Sequence, residues 1–343
     1  MTRERVSLLL LASLLWMAVS AQEAKPLSLR LEARGEYVRD AVDGTRQQEG
    51  SGFKGTIANV LLQGRLSPHF SYKYRQRLNG INRDHTFFDA TDWLYLRYDM
   101  TPAVGFVAGK WVVLTGGWEL DPAPIDVYDV SEFCYHFACY QWGGALAVTT
   151  GSRNDQWYAQ VCESPYRKQY EQRTGTAADL YAFNLVWYGH HGAYHAAWSA
   201  NMMEYAPGRY INYLYLGNRL TLGSHLAIDL DVMNRATHGQ PFLFRDCSLA
   251  GQLRYTFSPA VNVFAKATYD VNRTGHARDQ SLGDGTEITR IGAGVEYFPM
   301  GNDKVRLHAH YSYAFGRNTT PCAVIHDKQS TLRVGLTWRM DVL

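Results

Sequence analysis

The amino-acid sequence predicts an all-β fold, a transmembrane antiparallel β-barrel of about sixteen strands. Three observations predict it. Apolar and polar residues alternate with a period of two in segment after segment from Leu27 to Leu343. Most of these segments carry about nine or more residues, enough to cross a bilayer at a tilt of about 45°, whereas strands of ordinary globular proteins run to roughly five or six. The connections alternate between tight and long, which puts short turns on one rim and long loops on the other.

Composition agrees. The chain has 23 Tyr and 30 Gly but only 11 Pro, and long helical patterns with caps are absent. A net charge of +2 gives a nucleic-acid partner no support. Beyond the N-terminus no apolar run reaches the roughly 18 residues of a membrane-crossing helix.

Residues 1–21 read as a cleaved signal peptide. Arg3 and Arg5 precede the apolar stretch Val6 to Val19, and Val19-Ser20-Ala21 fits the small-residue cleavage pattern. Residues 22–343 then form one barrel domain exported to the bacterial outer membrane. Its strands are expected to start near Leu27, Thr56, Phe70, Asp92, Gly105, Gln141, Gln156, Leu180, Tyr194, Tyr210, Leu226, Ser248, Val261, Glu287, Val305 and Thr331. The last strand shows the pattern best: Leu332, Val334, Leu336, Trp338, Met340 and Val342 share one face and Arg333, Thr337, Arg339 and Asp341 the other.

Connections after even strands are tight and rich in turn residues: "SPHF", "MTPAV", "GSRND", "GHHGA", "LGSH", "FSPAV" and "PMGND". These are the periplasmic turns. The external loops follow the odd strands and are mostly long. Inside lipid every backbone N–H and C=O must pair within the protein, so only a closed barrel can carry such a sheet. No segment reads as apolar on both faces, and aromatic residues near strand ends, Phe70, Tyr98, Trp142, Trp157, Tyr188, Tyr255, Phe257, Tyr297 and Phe298, are expected to form interfacial girdles.

With the apolar faces in lipid, the alternate positions face the lumen. Fifteen cations and eight anions fall there, an excess of seven positive charges. The candidate pore-lining cations are Lys73, Arg75, Arg77, Arg97, Lys110, Arg254, Lys266, Arg290, Arg306 and Arg333. Rings of Arg and Lys around a wet channel favour anions. In "SYKYRQR", Lys73, Arg75 and Arg77 form a basic ladder with Phe70, Tyr72 and Tyr74 turned out. Glu32, Glu36, Asp229 and Asp231 are expected to pair with cations across strands.

A barrel of this size leaves a channel unless something narrows it. The loop after strand five is long enough. In "GKWVVLTGGWELDPAP" a strand runs into Gly116 and Gly117, acidic residues and prolines. The glycines let the chain double back and the prolines keep it out of the ladder. The loop is expected to fold into the lumen as a constriction built on Gly116, Gly117, Trp118, Glu119, Asp121, Asp126 and Tyr128, its acids pairing with the basic wall. Val107, Gly109, Trp111 and Val113 are expected to face lipid and Lys110 the lumen.

The stretch from Val104, "VGFVAGKWVVLTGGWELDPAPIDVYDVSEF", to "CYQWGGALAV" resembles the phosphate-selective porin O and P family, particularly its Bacteroidetes-type members. The matching positions are Gly109, Lys110, Gly116, Gly117, Glu119, Pro124, Asp126, Val127, Tyr128, Tyr140 and Gly143. The resemblance implies a sixteen-stranded outer-membrane porin, a homotrimer in outer-membrane lipid, passing small phosphate-like anions by diffusion without a cofactor.

Other readings are weaker. In "CYHFAC", Cys134, His136 and Cys139 could ligate a metal, but no second cluster completes a site, and none is predicted. Cys134 and Cys139 are also the close pair that could form a local disulfide. An outer-membrane hydrolase would use His195 and Ser199, yet four residues along a strand separates them by about 13 Å. An adhesin or structural barrel would carry larger external loops. No catalytic residues are assigned.

Overall fold

The computed structural model describes residues 27–80, 86–240, 244–276, 279 and 281–343; the expected signal peptide lies outside them. Sixteen long strands follow one another among the described residues. They are β1 (Ser28–Val42), β2 (Gly52–Arg65), β3 (Phe70–Arg77), β4 (Thr91–Asp99), β5 (Val104–Val112), β6 (Tyr140–Thr149), β7 (Asp155–Glu163) and β8 (Tyr181–His191). The chain continues with β9 (Tyr194–Ala206), β10 (Arg209–Leu222), β11 (Leu226–Thr237), β12 (Asp246–Ser258), β13 (Val261–Asn272), β14 (Glu287–Tyr297), β15 (Val305–Arg317) and β16 (Gln329–Asp341). A two-residue strand, Thr45–Arg46, folds back onto the end of β1.

Every strand pairs antiparallel with its sequence neighbours, and β1 pairs with β16 from Arg30↔Asp341 to Val42↔Gln329. That ladder closes the sheet and leaves no edge, as hydrocarbon surroundings require. The short turns, such as 66–69, 192–193 and 259–260, lie on the periplasmic rim, and the long connections on the other.

The apolar faces point outward. Leu332, Val334, Leu336, Trp338 and Met340 of β16 are exposed, while Thr337 and Arg339 between them are buried. Near the short turns, outward rings meet: Phe70 and Tyr98 lie 4.7 Å apart, Trp157 and Trp187 5.9 Å, and Tyr255 and Phe257 4.7 Å. Trp187 takes the outward place expected of Tyr188, whose ring instead meets lumenal Tyr158 at 5.9 Å.

Two expectations are corrected here. The phase of β5 is reversed. Phe106 is exposed on the outer face, whereas Val107 and Trp111 are buried, Trp111 lying 5.7 Å from Tyr95 and 6.4 Å from Tyr158. "VGFVAGKWVV" is apolar in both phases, so alternation alone could not choose between them. Lys110 accordingly pairs in register with Leu94 and Trp142, both exposed outward, and its ammonium donates to Phe88 O at 2.5 Å.

The second correction concerns the lumen, which is not polar throughout. On β10, Ile211, Tyr213 and Tyr215 point in while Leu214 and Leu220 are exposed, so this strand is apolar on both faces. The inward side chains need an apolar partner inside the barrel, and the loop after β5 supplies it.

Candidate functional site

Loop 113–139 leaves β5 and enters the lumen. Gly116 and Gly117 turn it with φ of 67° and 78°. A Cβ on Gly117 would stand 2.2 Å from the Tyr215 ring, and one on Gly116 2.8 Å from Ala197 O, so both residues must be glycine for space as well as for conformation. The wall satisfies the loop backbone. Gly117 N donates to Ala197 O at 2.9 Å, Ser199 Oγ to Thr115 O at 2.5 Å, and Asn201 Nδ2 to Leu114 O at 2.8 Å. The Asp231 carboxylate accepts from Trp118 N at 2.8 Å and Glu119 N at 2.6 Å. Asp231 was expected to find a cation across the strands, but its register partners are Gly217 and Ala250. That missing partner was the sequence-level sign of a different role. The buried Trp118 indole lies beneath the Arg219 guanidinium, 4.0 Å from its centroid.

Further along, helix α1 (Glu132–His136) brings Phe133, and just beyond it Phe137, against Val113, Cys162, Met203, Ile211, Tyr213 and Met233. This is a small apolar core inside the barrel. Ser131 caps α1, accepting from Cys134 N at 3.3 Å. Buried Glu119 gathers the turn: it accepts from Ser131 N at 2.9 Å, Ser131 Oγ at 2.7 Å and the Cys134 thiol at 3.0 Å, and pairs with Lys266 at 2.8 Å. Burial alone would raise the Glu119 carboxyl, but the Lys266 ammonium and these donors hold it below the usual carboxylate range. Glu132, also buried, accepts from Val324 N at 3.0 Å and Ile325 N at 2.8 Å of the last external loop. Cys134 and Cys139 are both free thiols.

The remaining loop acids cross to the opposite wall. Asp126 pairs with Arg306 at 2.9 Å and Arg339 at 2.6 Å. Asp129 faces Arg290 at 3.5 Å, Arg333 at 3.7 Å and His310 at 3.4 Å. Tyr128 donates to Glu296 at 2.7 Å and stacks on Phe264 at 5.3 Å. Arg34 donates to Val127 O at 2.7 Å. Asp121 stays exposed near Arg219.

The ten candidate pore cations therefore divide. Arg75 is fully buried against Asp92 at 2.9 Å, and Arg77 reaches the same carboxylate at 2.9 Å. A register shift at Arg75/Gln76 skips Asp92 in the pairing of β3 with β4. Arg97 pairs with Asp99 at 2.7 Å, and Lys266, Arg290, Arg306 and Arg333 are held by the loop. Among the described residues Lys73 and Arg254 form no ion pair with a carboxylate, and Lys73 is exposed to the lumen. Most of the excess positive charge counted along the strands is thus neutralised by loop acids and by Asp92.

Two cavities remain beside strands β2–β5, the first of them reaching the edge of the apolar core at Val113, Cys134 and Phe137. One, about 640 Å³, lies between the loop and the wall and includes Arg34, Thr56, Asn59, Arg77, Val127 and Tyr128. The other, about 630 Å³ and nearer the periplasm, is lined by Gln63, Arg65, Ser71, Lys73, Tyr95, Arg97 and Trp111. Around Arg254, under the loop, the free space is only about 40 Å³. The Ser199 hydroxyl is spent on the loop, and His195 faces His190 across the strand pair.

With this geometry in place, comparison with solved structures shows the fold. The fold is similar to the anion-selective porin from Comamonas acidovorans, with a TM-score of 0.65 and 9% identity over 93% of this chain and 100% of that one. It is similar to the outer membrane channel DcaP of Acinetobacter baumannii, with a TM-score of 0.62 and 11% identity over 92% of this chain and 96% of that one. OmpT of Vibrio cholerae matches with a TM-score of 0.58 and 11% identity over 92% of this chain and 97% of that one. At such identities the likeness is one of fold. No family model matches the sequence, and no curated protein is significantly similar to it. The chain has the fold of porin-type outer-membrane barrels, a closed antiparallel β-barrel with sixteen long strands among the described residues.

Proposed function

We propose that this barrel is a passive diffusion channel for small anionic solutes. The observation that carries the reading is the pair of cavities along β2–β5, beside a lumenal loop pinned to both the β9–β11 and the β13–β16 walls, with Lys73 in the periplasmic one free of any carboxylate partner among the described residues. A low-dielectric wall focuses the field of such an unpaired charge onto the aqueous path, whereas a paired one contributes little. Arg65 lies in the same cavity and Arg254 close to the loop. The anion selectivity stated for the Comamonas acidovorans porin and the resemblance of the Gly109–Gly143 stretch to phosphate-selective porins both support the anionic class. On this reading the assembly is a homotrimer in outer-membrane lipid, and phosphate-like ions are the preferred solutes.

Swelling of liposomes containing the protein tests the solute class. Small organic anions should enter faster than neutral solutes of equal size, and cations slower. Equal rates for all three would remove the charge preference, and no swelling would remove the channel.

A further inference from the structure

We propose that His190 and His195 form a two-imidazole site for a divalent transition-metal ion at the periplasmic mouth of the lumen. They stand directly opposite one another in the pairing of β8 with β9, two residues from the end of the turn. Their Nδ1 atoms are 2.8 Å apart and their ring centroids 5.0 Å apart. The turn beneath is set by Gly192 at φ 64° and tied to both neighbouring hairpins, His190 N donating to Asn154 O and Thr221 N to Ala193 O, each at 2.8 Å. Both rings project to the lumenal face, since His195 pairs in register with Arg219, whose guanidinium covers Trp118 of the loop.

Two neutral imidazoles can meet nitrogen to nitrogen only when one Nδ1–H donates to the other's lone pair. A metal can replace that shared proton. Zn–N bonds of about 2.0–2.1 Å in tetrahedral geometry set two ligand nitrogens roughly 3.3 Å apart, so the rings need part by only about half an ångström. The displaced Nδ1 proton moves to Nε2 of the same ring, leaving both Nδ1 lone pairs on the metal. Imidazole is a suitable ligand for Zn, Cu and Ni. No group of three or more His, Cys, Asp or Glu ligands is placed to hold a metal among the described residues, so water fills the other positions and binding is weak and exchangeable. The charges facing the pair are Arg219, held by Asp229 at 2.6 and 2.8 Å, and Asp121 of the loop. His191 turns to the other face, to Asp155 at 3.0 Å.

The site stands whether or not the barrel conducts anions, so the test reads binding directly. Calorimetric titration of the refolded chain with Zn²⁺ should show one saturable site per chain. It should be lost in His190→Asn and in His195→Asn, and kept in His191→Asn and His225→Asn. In the unmutated chain Zn²⁺ should protect His190 and His195 from diethylpyrocarbonate while leaving His225 reactive, a readout independent of variant folding. Absence of saturable binding at millimolar Zn²⁺, survival of the site in either His190→Asn or His195→Asn, or equal reactivity of His190 and His195 with and without Zn²⁺ would each overturn the proposal.

Discussion

Asp231 and Gly117 fix the first turn of the loop against the wall. The Asp231 carboxylate is the acceptor for two consecutive amides of the loop, that of Trp118 buried and that of Glu119 partly buried. Truncation to Ala leaves both without a partner, at about 1–3 kcal/mol for a buried donor. Asp231→Ala is therefore expected to lower the temperature at which the barrel loses its heat-resistant mobility on electrophoresis, and to make single-channel currents noisier. An unchanged transition would mean that the amides find other acceptors. Gly117→Ala should be worse. Its left-handed backbone alone costs a residue with a side chain about 1–2 kcal/mol, and the new methyl would overlap the Tyr215 ring, 2.2 Å away. Gly192→Ala offers a control, since a Cβ there meets open space at a similar φ of 64°. Equal stability of the two variants would contradict the close approach.

The decisive element is the lumenal loop, and its acid anchors make it sensitive to pH. Glu119 is held below the usual carboxylate range, and its ordinary value is about 4.3. Its contribution to holding the loop is therefore complete above that value and is lost as pH falls through the lower folded value. Glu119→Gln should raise the frequency of substate currents already at neutral pH, and acidification of the wild type should do so only below the ordinary carboxylate value. A Glu119→Gln record at neutral pH no noisier than that of the wild type would count against the anchor. At this scale the sequence was informative but incomplete. The glycine pair, the acids and the prolines located the loop and its inward course, because turn chemistry and ladder breaking are local. The partners of those acids were not legible, because Lys266, Arg290, Arg306 and Arg339 lie more than a hundred residues away. The phase of β5 was misjudged for a related reason: both of its faces are apolar, and only the aromatic surroundings of Trp111 decide which one faces the lumen.

For the whole molecule, strand number, closure and the sidedness of turns followed from alternation and connection lengths, which report backbone geometry directly. Net lumenal charge did not follow. Counting inward positions gave a strongly positive channel, but Asp92, Asp126 and Asp129 bring carboxylates that strand alternation could not place. The proposed anion selectivity thus rests on few free cations. Planar-bilayer recording across a salt gradient tests it most directly. It predicts a reversal potential of anion-selective sign that moves towards zero in Lys73→Gln with Arg254→Gln, and stays put in Arg290→Gln, whose charge the loop already neutralises. A cation-selective reversal potential, or a channel that does not conduct, would contradict it.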